Sequence, residues 1–316
     1  MGLVHAGILN VLPGVQLAAL CEKSNLTRKF SRKIFKGIEI VDDVAKLSKL
    51  NLDAVYVTTP IPSHFSIAKT VFEDRITSNL FVEKTLAQTY EESKQLSKMA
   101  HAFGGVNMVG YLRRFCVTFN KARDLLMKGT IGNATSFKAY AYSSDFLGVE
   151  KESKTSASRG GVLKDLGCHA VDLALWFFGD LQVSSVRLSP GASHAEDFAN
   201  FKVKNSDIEG EFDVSWRVED YRLPEVGFSI AGSKGKLDVN DDRVRLTAEN
   251  GESHLWYRHD LGDNVPFWLA LPEYYREDSY YVKSIMEAVK AEPDFYAGRE
   301  VDRIIGEVEK KAGETD

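Results

Sequence analysis

Short apolar runs alternate with amphipathic stretches along the first third of the chain. The runs are rich in Val, Ile and Leu, as in buried strands, and the stretches between them repeat apolar positions at helical spacing. The predicted strands cover residues 15–21, 38–41, 54–58, 80–82 and 106–109. The predicted helices cover residues 25–36, 42–50, 63–73 and 90–102. Strands joined by helical crossovers indicate an α/β, doubly wound parallel sheet.

The alternation stops near Tyr111, and period-two strands take its place. Helices are predicted over residues 117–128, 163–178, 273–291 and 298–311, and strands over residues 134–142, 198–204 and 209–216. Hairpin turns are indicated at residues 232–235 and 240–242. We therefore predict a second, α+β domain with a large, mainly antiparallel sheet, and we place the division at 1–112 and 113–316. The last helices are expected to pack back near the first domain.

Composition limits the classes of function. Hydrophobic residues make up 44% and charged residues 27% of the 316 residues, which excludes a disordered or collagen-like chain. A net charge of −5 gives no general attraction to nucleic acid or anionic lipid, so we expect a small-molecule substrate or another subunit as partner. The three cysteines are far apart and predict neither a disulfide framework nor a metal site. With no membrane span or secretion signal recognised, a cytoplasmic location is expected.

The segment RGGVLKDLGCH at residues 159–169 is the strongest candidate for chemistry. Asp165 and His169 lie four residues apart within a predicted helix and share one face. A carboxylate beside an imidazole stabilises the protonated ring, so the pair suits a general base near neutral pH. The alternative is an aspartate in the first helical turn and a histidine of the core, and spacing alone does not decide between them.

Lys84 follows the predicted strand at residues 80–82, within the sequence Glu83-Lys84-Thr85. Ligands of open α/β sheets bind at this carboxyl edge, where a lysine can stabilise a developing alkoxide. An ordinary surface lysine is the alternative. The segment Thr58, Thr59 and Pro60, with His64 after it, occupies a similar edge position. Its hydroxyls and amides suit either a dinucleotide contact or a simple turn with a helix cap.

Glu22 ends the predicted strand at residues 15–21. An acidic residue there binds the adenosine ribose hydroxyls of NAD and repels the 2′-phosphate of NADP. Residues 23–37, however, contain six basic and no acidic side chains, most simply a solvated helix face. Since Lys23 or Arg28 could accept a phosphate, NAD is the expected cofactor and NADP stays an alternative.

In this order the motifs resemble the glucose-fructose oxidoreductase and inositol dehydrogenase family, Gfo/Idh/MocA, over essentially the whole chain. The matching segments are GLVHA at residues 2–6, LAALCE ending at residue 22, DAVYVTTP at 53–60, FVEKT at 81–85, VGYLRRF at 109–115, GTIGNATSF at 129–137 and RGGVLKDLGCHAVDLALWFFGD at 159–180. The resemblance implies a dinucleotide-binding Rossmann domain and a second domain whose open sheet forms a homodimer or homotetramer. The implied activity is reversible oxidation of a sugar or polyol hydroxyl with NAD or NADP.

By the same resemblance Lys84, Asp165 and His169 are the catalytic residues. His169 removes the hydroxyl proton, Asp165 orients His169, and Lys84 stabilises the alkoxide. The implied cofactor-binding residues are Gly2, Leu3, Glu22, Thr58, Thr59, Pro60, His64, Glu83 and Lys84. The implied substrate-binding residues are Lys84, Arg113, Arg114, Tyr142, Asp165 and His169, under a mobile cover at residues 143–158. For both arginines an ion pair at the domain junction is an equally good interpretation. No metal site is predicted.

Two departures from the family pattern matter. Gly2 aligns with the third glycine of the family's G-x-G-x-x-G, so we expect the first strand and two glycines to be missing, through a start assigned too far downstream or a shortened chain. Thr85 replaces the proline of the family's E-K-P. Two other functions stay open: an NAD-dependent glycosidase, as in some relatives, and a non-catalytic sugar or dinucleotide sensor.

Overall fold

The computed structural model describes residues 1–147, 159–190 and 196–314. They form two compact units, described here separately. The first unit is Met1–Gly110 with Phe267–Arg299, and the second is Tyr111–Pro266 with Glu300–Asp316. These units group residues 267–299 with the N-terminal part, whereas the sequence placed them in the second domain. The division at residues 112 and 113 stays a prediction.

Short parallel strands and flanking helices make up the first unit. Its elements are α1 (Gly2–Leu9), β1 (Ala19–Cys21), α2 (Asn25–Ile34), β2 (Glu39–Val41), β3 (Val55–Val57), α3 (His64–Glu73), β4 (Leu80–Glu83), α4 (Tyr90–Phe103), β5 (Asn107–Gly110) and α7 (Pro272–Met286). Strands β1 and β2 form one parallel pair, and β3, β4 and β5 form a three-stranded parallel sheet. Leu80, Phe81 and Val82 are fully buried, as expected for a strand covered on both faces.

Helix α1 packs against the C-terminal part of the first unit. Ile8, Leu9 and Leu12 form a buried cluster that includes Phe267 and Val282 at its margin. Apart from His5, the helix consists of glycine and apolar residues, and His5, Ala6, Ile8 and Leu9 are buried.

The second unit is built on one large sheet. Its elements are α5 (Val117–Met127), β6 (Ala134–Tyr142), α6 (Cys168–Phe178), β7 (Gln182–Pro190), β8 (Glu196–Lys204), β9 (Glu209–Ser215), β10 (Glu225–Gly232), β11 (Gly235–Asn240), β12 (Arg243–Ala248), β13 (Ser253–Tyr257) and, from Glu300 onward, α8 (Phe295–Gly313). The eight strands follow the order β13-β12-β11-β10-β6-β9-β8-β7. All neighbours are antiparallel except β6 and β9, which are parallel.

Helix α6 covers one face of this sheet. Phe178 of α6 stacks on Phe137 of β6 with ring centroids 4.7 Å apart. Along β6, Phe137, Ala139 and Ala141 are buried and alternate with more exposed polar residues. Because successive strand residues point to opposite faces, the polar residues of β6 lie on the face away from α6.

The fold class predicted from the sequence is confirmed: a parallel sheet with flanking helices precedes a large, mainly antiparallel sheet. The structure differs from the sequence prediction at three places. Residues 44–49 of the predicted helix at 42–50 form a 3-10 helix, residues 163–167 form a π-helical turn before α6, and α1 was missed. No helix in the described ranges is long and apolar enough to cross a membrane.

Candidate active site and cofactor site

Lys84 follows the buried strand β4 directly, at its carboxyl end, and its side chain is partly exposed. The backbone N–H of Lys84 donates to the Glu83 carboxylate at 3.1 Å, and the peptide bond between Lys84 and Thr85 is cis. Glu83 and Thr85 are both buried, so the residues on either side of the lysine are fixed in the unit.

His64 joins the two edge loops of the first unit. One ring nitrogen lies 2.8 Å from the carbonyl oxygen of Thr85, and the other lies 2.7 Å from that of Thr59. The side chain is fully buried, and burial lowers the pKa of its imidazole. Both ring nitrogens therefore face the backbone of the two loops, and a contact of His64 with the cofactor stays a prediction.

His5 lies between two buried carboxylates, an arrangement that the sequence analysis missed. Its Nε2 is 2.9 Å from Glu83 Oε1, and its Nδ1 is 2.9 Å from Asp278 Oδ1. Burial disfavours a charge on His5, but the hydrogen bonds to Asp278 and Glu83 prevail and raise its pKa to about 10. Burial likewise opposes the charge of Glu83, yet the bond from His5 holds the pKa of Glu83 below its usual value, whereas burial raises that of Asp278.

Gly2 and Thr58 meet at the beginning of α1. A Cβ added to Gly2 would stand 2.9 Å from Thr58 Oγ1, so a larger residue at this position would displace the Thr58 hydroxyl. Thr59 Oγ1 accepts a hydrogen bond from the Ser63 hydroxyl at 2.8 Å, and Leu3 is exposed. The structure thus brings predicted cofactor residues together at the N-terminus of a helix, where backbone N–H groups favour anions.

Glu22 follows strand β1, as predicted. Its carboxylate accepts a hydrogen bond from the backbone N–H of Ser24 at 2.7 Å, which orients the carboxyl group. Arg28 Nη1 donates to the Glu22 carbonyl oxygen at 2.8 Å and also bonds the Lys23 carbonyl oxygen. The guanidinium of Arg28 therefore supports the loop backbone beside Glu22.

In the second unit the two glycines of RGGVLKDLGCH fit a crowded turn. Gly160 and Gly161 have φ values of +79° and +92°, which favour glycine. A Cβ on Gly161 would overlap the Glu196 carboxylate, which accepts a hydrogen bond from the Leu163 N–H at 3.1 Å. Glu196 lies on β8, which is distant in sequence from this turn, so the spacing within the motif gave no signal for it.

Asp165 and His169 lie on one continuous helical segment, four residues apart across the junction of the π turn and α6. The Asp165 carboxylate accepts a hydrogen bond from Arg159 Nη1 at 3.1 Å, and the same guanidinium bonds Asp145 at 2.8 Å. The His169 side chain is buried, and the ring of Tyr111 meets its imidazole edge-on at a centroid distance of 6.3 Å.

The predicted arginines each meet a carboxylate within the second unit. Arg113 Nε lies 3.0 Å from Asp241 Oδ1, and Arg114 bonds both oxygens of Asp172 at 2.9 and 2.7 Å. Arg113, Arg114 and Asp172 are buried, whereas Asp241 is not, and burial raises the pKa of Asp172. The ion-pair interpretation therefore describes both arginines, although these pairs form inside the unit.

Tyr142 lies on the sheet face away from α6, together with Tyr140, whose ring stacks on it at 4.9 Å. This face forms a cleft of about 510 Å³ lined by polar side chains, among them Lys138 and Asp213. Tyr142 thus lies on the opposite sheet face from α6, the helix that carries His169, and its role as a substrate contact stays a prediction. Of the predicted cover, residues 148–158 lie outside the described residues.

Comparison with known proteins identifies the family. Residues 1–111 match the family described as "Oxidoreductase family, NAD-binding Rossmann fold", and residues 119–238 match the "GFO/IDH/MocA C-terminal domain". The two matches together span more than half of the chain. The chain belongs to the Gfo/Idh/MocA oxidoreductase family, and NAD is the cofactor class of its Rossmann domain.

Individual relatives are distant. The scyllo-inositol 2-dehydrogenase (NAD(+)) of Bacillus subtilis strain 168 is 26% identical over 190 residues, which are 59% of this chain and 53% of that protein. The D-apiose dehydrogenase of Paraburkholderia graminis is 24% identical over 247 residues, 76% of this chain and 64% of that protein. The chain thus matches less than two thirds of these relatives' length. A levoglucosan dehydrogenase in complex with NADH and levoglucosan superimposes with a TM-score of 0.86 at 19% identity, covering 99% of this chain and 94% of that one.

Proposed function

We propose that the chain is a dehydrogenase that transfers a hydride between NAD and a hydroxyl-bearing carbon of a sugar, polyol or sugar derivative. Membership of the oxidoreductase family supports this activity, and so do the sugar and polyol substrates in the names of its relatives. The observation that carries the proposal is the buried imidazole of His169, four residues after Asp165 on one helical segment.

The edge of the first unit fits a dinucleotide. Gly2 lacks a Cβ where one would press on Thr58, and Glu22 follows β1 with an oriented carboxylate. In our proposal the start of α1 and the loop after β3 hold the pyrophosphate through Gly2, Leu3, Thr58, Thr59 and Pro60. Glu22 binds the ribose hydroxyls and favours NAD over NADP. When bound, NAD accepts or donates the hydride.

The chain's own residues handle the proton and the oxygen. In the oxidation direction His169 takes the hydroxyl proton at a ring nitrogen, and Asp165 stabilises the imidazolium that results. Arg159 Nη1 lies 3.1 Å from the Asp165 carboxylate and orients it. Lys84 donates a hydrogen bond to the substrate oxygen as alkoxide character develops. We further expect a cytoplasmic homodimer or homotetramer.

A fluorescence titration with NADH, and with NADPH in parallel, tests the cofactor part of the proposal. We expect saturable NADH binding at micromolar concentration and weaker NADPH binding. Turnover is then sought as NADH formation on a panel of inositols, hexoses and sugar acids. Release of sugar from an aryl glycoside without net NADH would instead identify a glycosidase. A chain that binds NADH without turnover, and binds it equally well as His169→Ala, would be a sensor.

A further inference from the structure

Three ionisable side chains form a buried cluster in the first unit. His5 is 1% exposed, Asp278 is 0% exposed and Glu83 is 6% exposed. His5 lies on α1, Glu83 ends β4 and Asp278 lies on α7, so one imidazole joins three elements that are distant in sequence. Replacing such a cluster by apolar residues is often neutral or stabilising, so its presence calls for a role beyond stability.

The hydrogen-bond geometry and the raised pKa of His5 together assign a positive charge to its ring. An ionised carboxylate only accepts hydrogen bonds, and each ring nitrogen of His5 faces one at 2.9 Å. With both carboxylates ionised, both nitrogens carry hydrogen and the ring is an imidazolium. The raised pKa of His5 agrees with this assignment. The three groups together carry one net negative charge.

The cluster leads directly to Lys84. The second oxygen of Glu83, Oε2, accepts the backbone N–H of Lys84 at 3.1 Å, while Oε1 faces His5. Gly110 leaves room for this carboxylate, since a Cβ there would stand 3.1 Å from Oε2. The positive charge of Lys84 also favours the ionised form of Glu83 and lowers its pKa.

We propose that His5 is a positioning residue for Lys84, a permanent imidazolium that fixes the Glu83 carboxylate and partly neutralises it. The role rests on the proposed function. When His5 is charged, Glu83 still accepts the hydrogen bond from the Lys84 backbone, but its electrostatic attraction for the Lys84 ammonium group is weaker. Loss of the positive charge would leave Glu83 uncompensated, raise the pKa of Lys84 and displace the lysine backbone.

The aromatic rings that face His5 are those of Tyr56 on β3, Phe81 on β4 and Tyr274 on α7. The rings of Tyr56, Phe81 and Tyr274 lie 5.2 to 5.7 Å from the imidazole, and Tyr281 packs on Tyr56. Burial raises the pKa values of Tyr56 and Tyr281, so both stay neutral through the working pH range. A pH dependence near neutrality therefore does not come from these tyrosines.

A double-mutant cycle tests whether His5 acts through Glu83. His5→Gln, Glu83→Gln and the double variant are compared with the parent, with the exposed His101→Gln as control. We expect kcat to fall about tenfold in His5→Gln with KM for NAD within about threefold, and no further fall in the double variant. The basic limb of the pH profile should move up by about one unit in His5→Gln and down in Glu83→Gln.

If the losses of kcat add in the double variant, or if the basic limb of the pH profile does not move, the proposal is overturned and His5 has a structural role only. If His5→Gln does not fold, Asp278→Asn takes its place, because this variant keeps the imidazole ring of His5. The basic limb of the pH profile should then move in the same direction by a smaller amount. Histidine 15N shifts give a readout without turnover: one of the seven histidines should stay doubly protonated at pH 8, and His5→Gln should remove it. A parent without turnover contradicts the proposed function, whereas an active parent with His5 neutral at pH 8 contradicts this proposal alone.

Discussion

The hydroxyl of Thr58 lies 2.9 Å from where a Cβ of Gly2 would stand. Gly2→Ala should therefore displace this hydroxyl and weaken NADH binding about fivefold, the effect of one lost hydrogen bond. Gly7→Ala in the same helix is the matched control, since its Cβ would meet Phe267 at an ordinary 3.7 Å. NADH fluorescence titration measures both variants. Equal affinities for the two variants would mean that Thr58 does not contact the cofactor.

Gly161 combines a positive φ with the nearby carboxylate of Glu196, so Gly161→Ala carries two penalties. Gly251→Ala isolates the first, because Gly251 has φ +85° and nothing within 4 Å of its Cβ position. We expect urea denaturation to give about 1 kcal/mol of destabilisation for Gly251→Ala and at least about 2 kcal/mol for Gly161→Ala. Similar losses of stability in the two variants would show that the Glu196 side chain moves aside without a cost in free energy.

The imidazolium of His5 makes stability depend on pH. Its pKa rises from 6.5 to about 10 in the folded chain, so its stabilisation is complete below 6.5 and is lost as pH rises to 10. Between these values the folded state binds one more proton than the unfolded state, and the free energy of unfolding should fall by about 1.4 kcal/mol per pH unit. Urea denaturation across this range should give a slope that is removed in His5→Gln. Identical slopes in the two proteins would show that His5 titrates normally.

The buried pair of Arg114 and Asp172 should be more sensitive than an exposed pair. Asp172→Asn leaves a guanidinium buried beside a neutral amide, and we expect about 3 kcal/mol of destabilisation. Asp124→Asn, which breaks the exposed pair with Lys128, should cost under about 0.5 kcal/mol. The KM for substrate in Asp172→Asn should match the parent. A large rise in KM without lost stability would favour the interpretation of Arg114 as a substrate contact.

Patterns confined to one element were predictable from the sequence. Strand β6 has the predicted bounds, because its buried Phe137, Ala139 and Ala141 alternate strictly with polar positions. The same alternation already placed Tyr142 on the other face from these residues. Helix α1 gave no such signal, since an apolar segment without a polar face has no period to detect.

Contacts between distant segments were not predictable. The partner of His5 on α7, Asp278, lies 273 residues away, and Glu196 reaches the Gly161 turn from a strand that follows it. A single sequence carries local periodicity and motif spacing, whereas these pairings depend on how the elements pack. The motif residues Lys84, Asp165 and His169 could be named, but the groups that hold Lys84 could not.

The central claim is NAD-linked oxidation with His169 as the base, and NADH formation at 340 nm by the parent and by His169→Asn tests it most directly. On a sugar or polyol substrate the parent should form NADH, and His169→Asn should be slower by about 100-fold or more. NADH affinity should stay within about twofold, because the proposed contacts with the cofactor are made by residues other than His169. Equal rates in the two proteins would contradict the account.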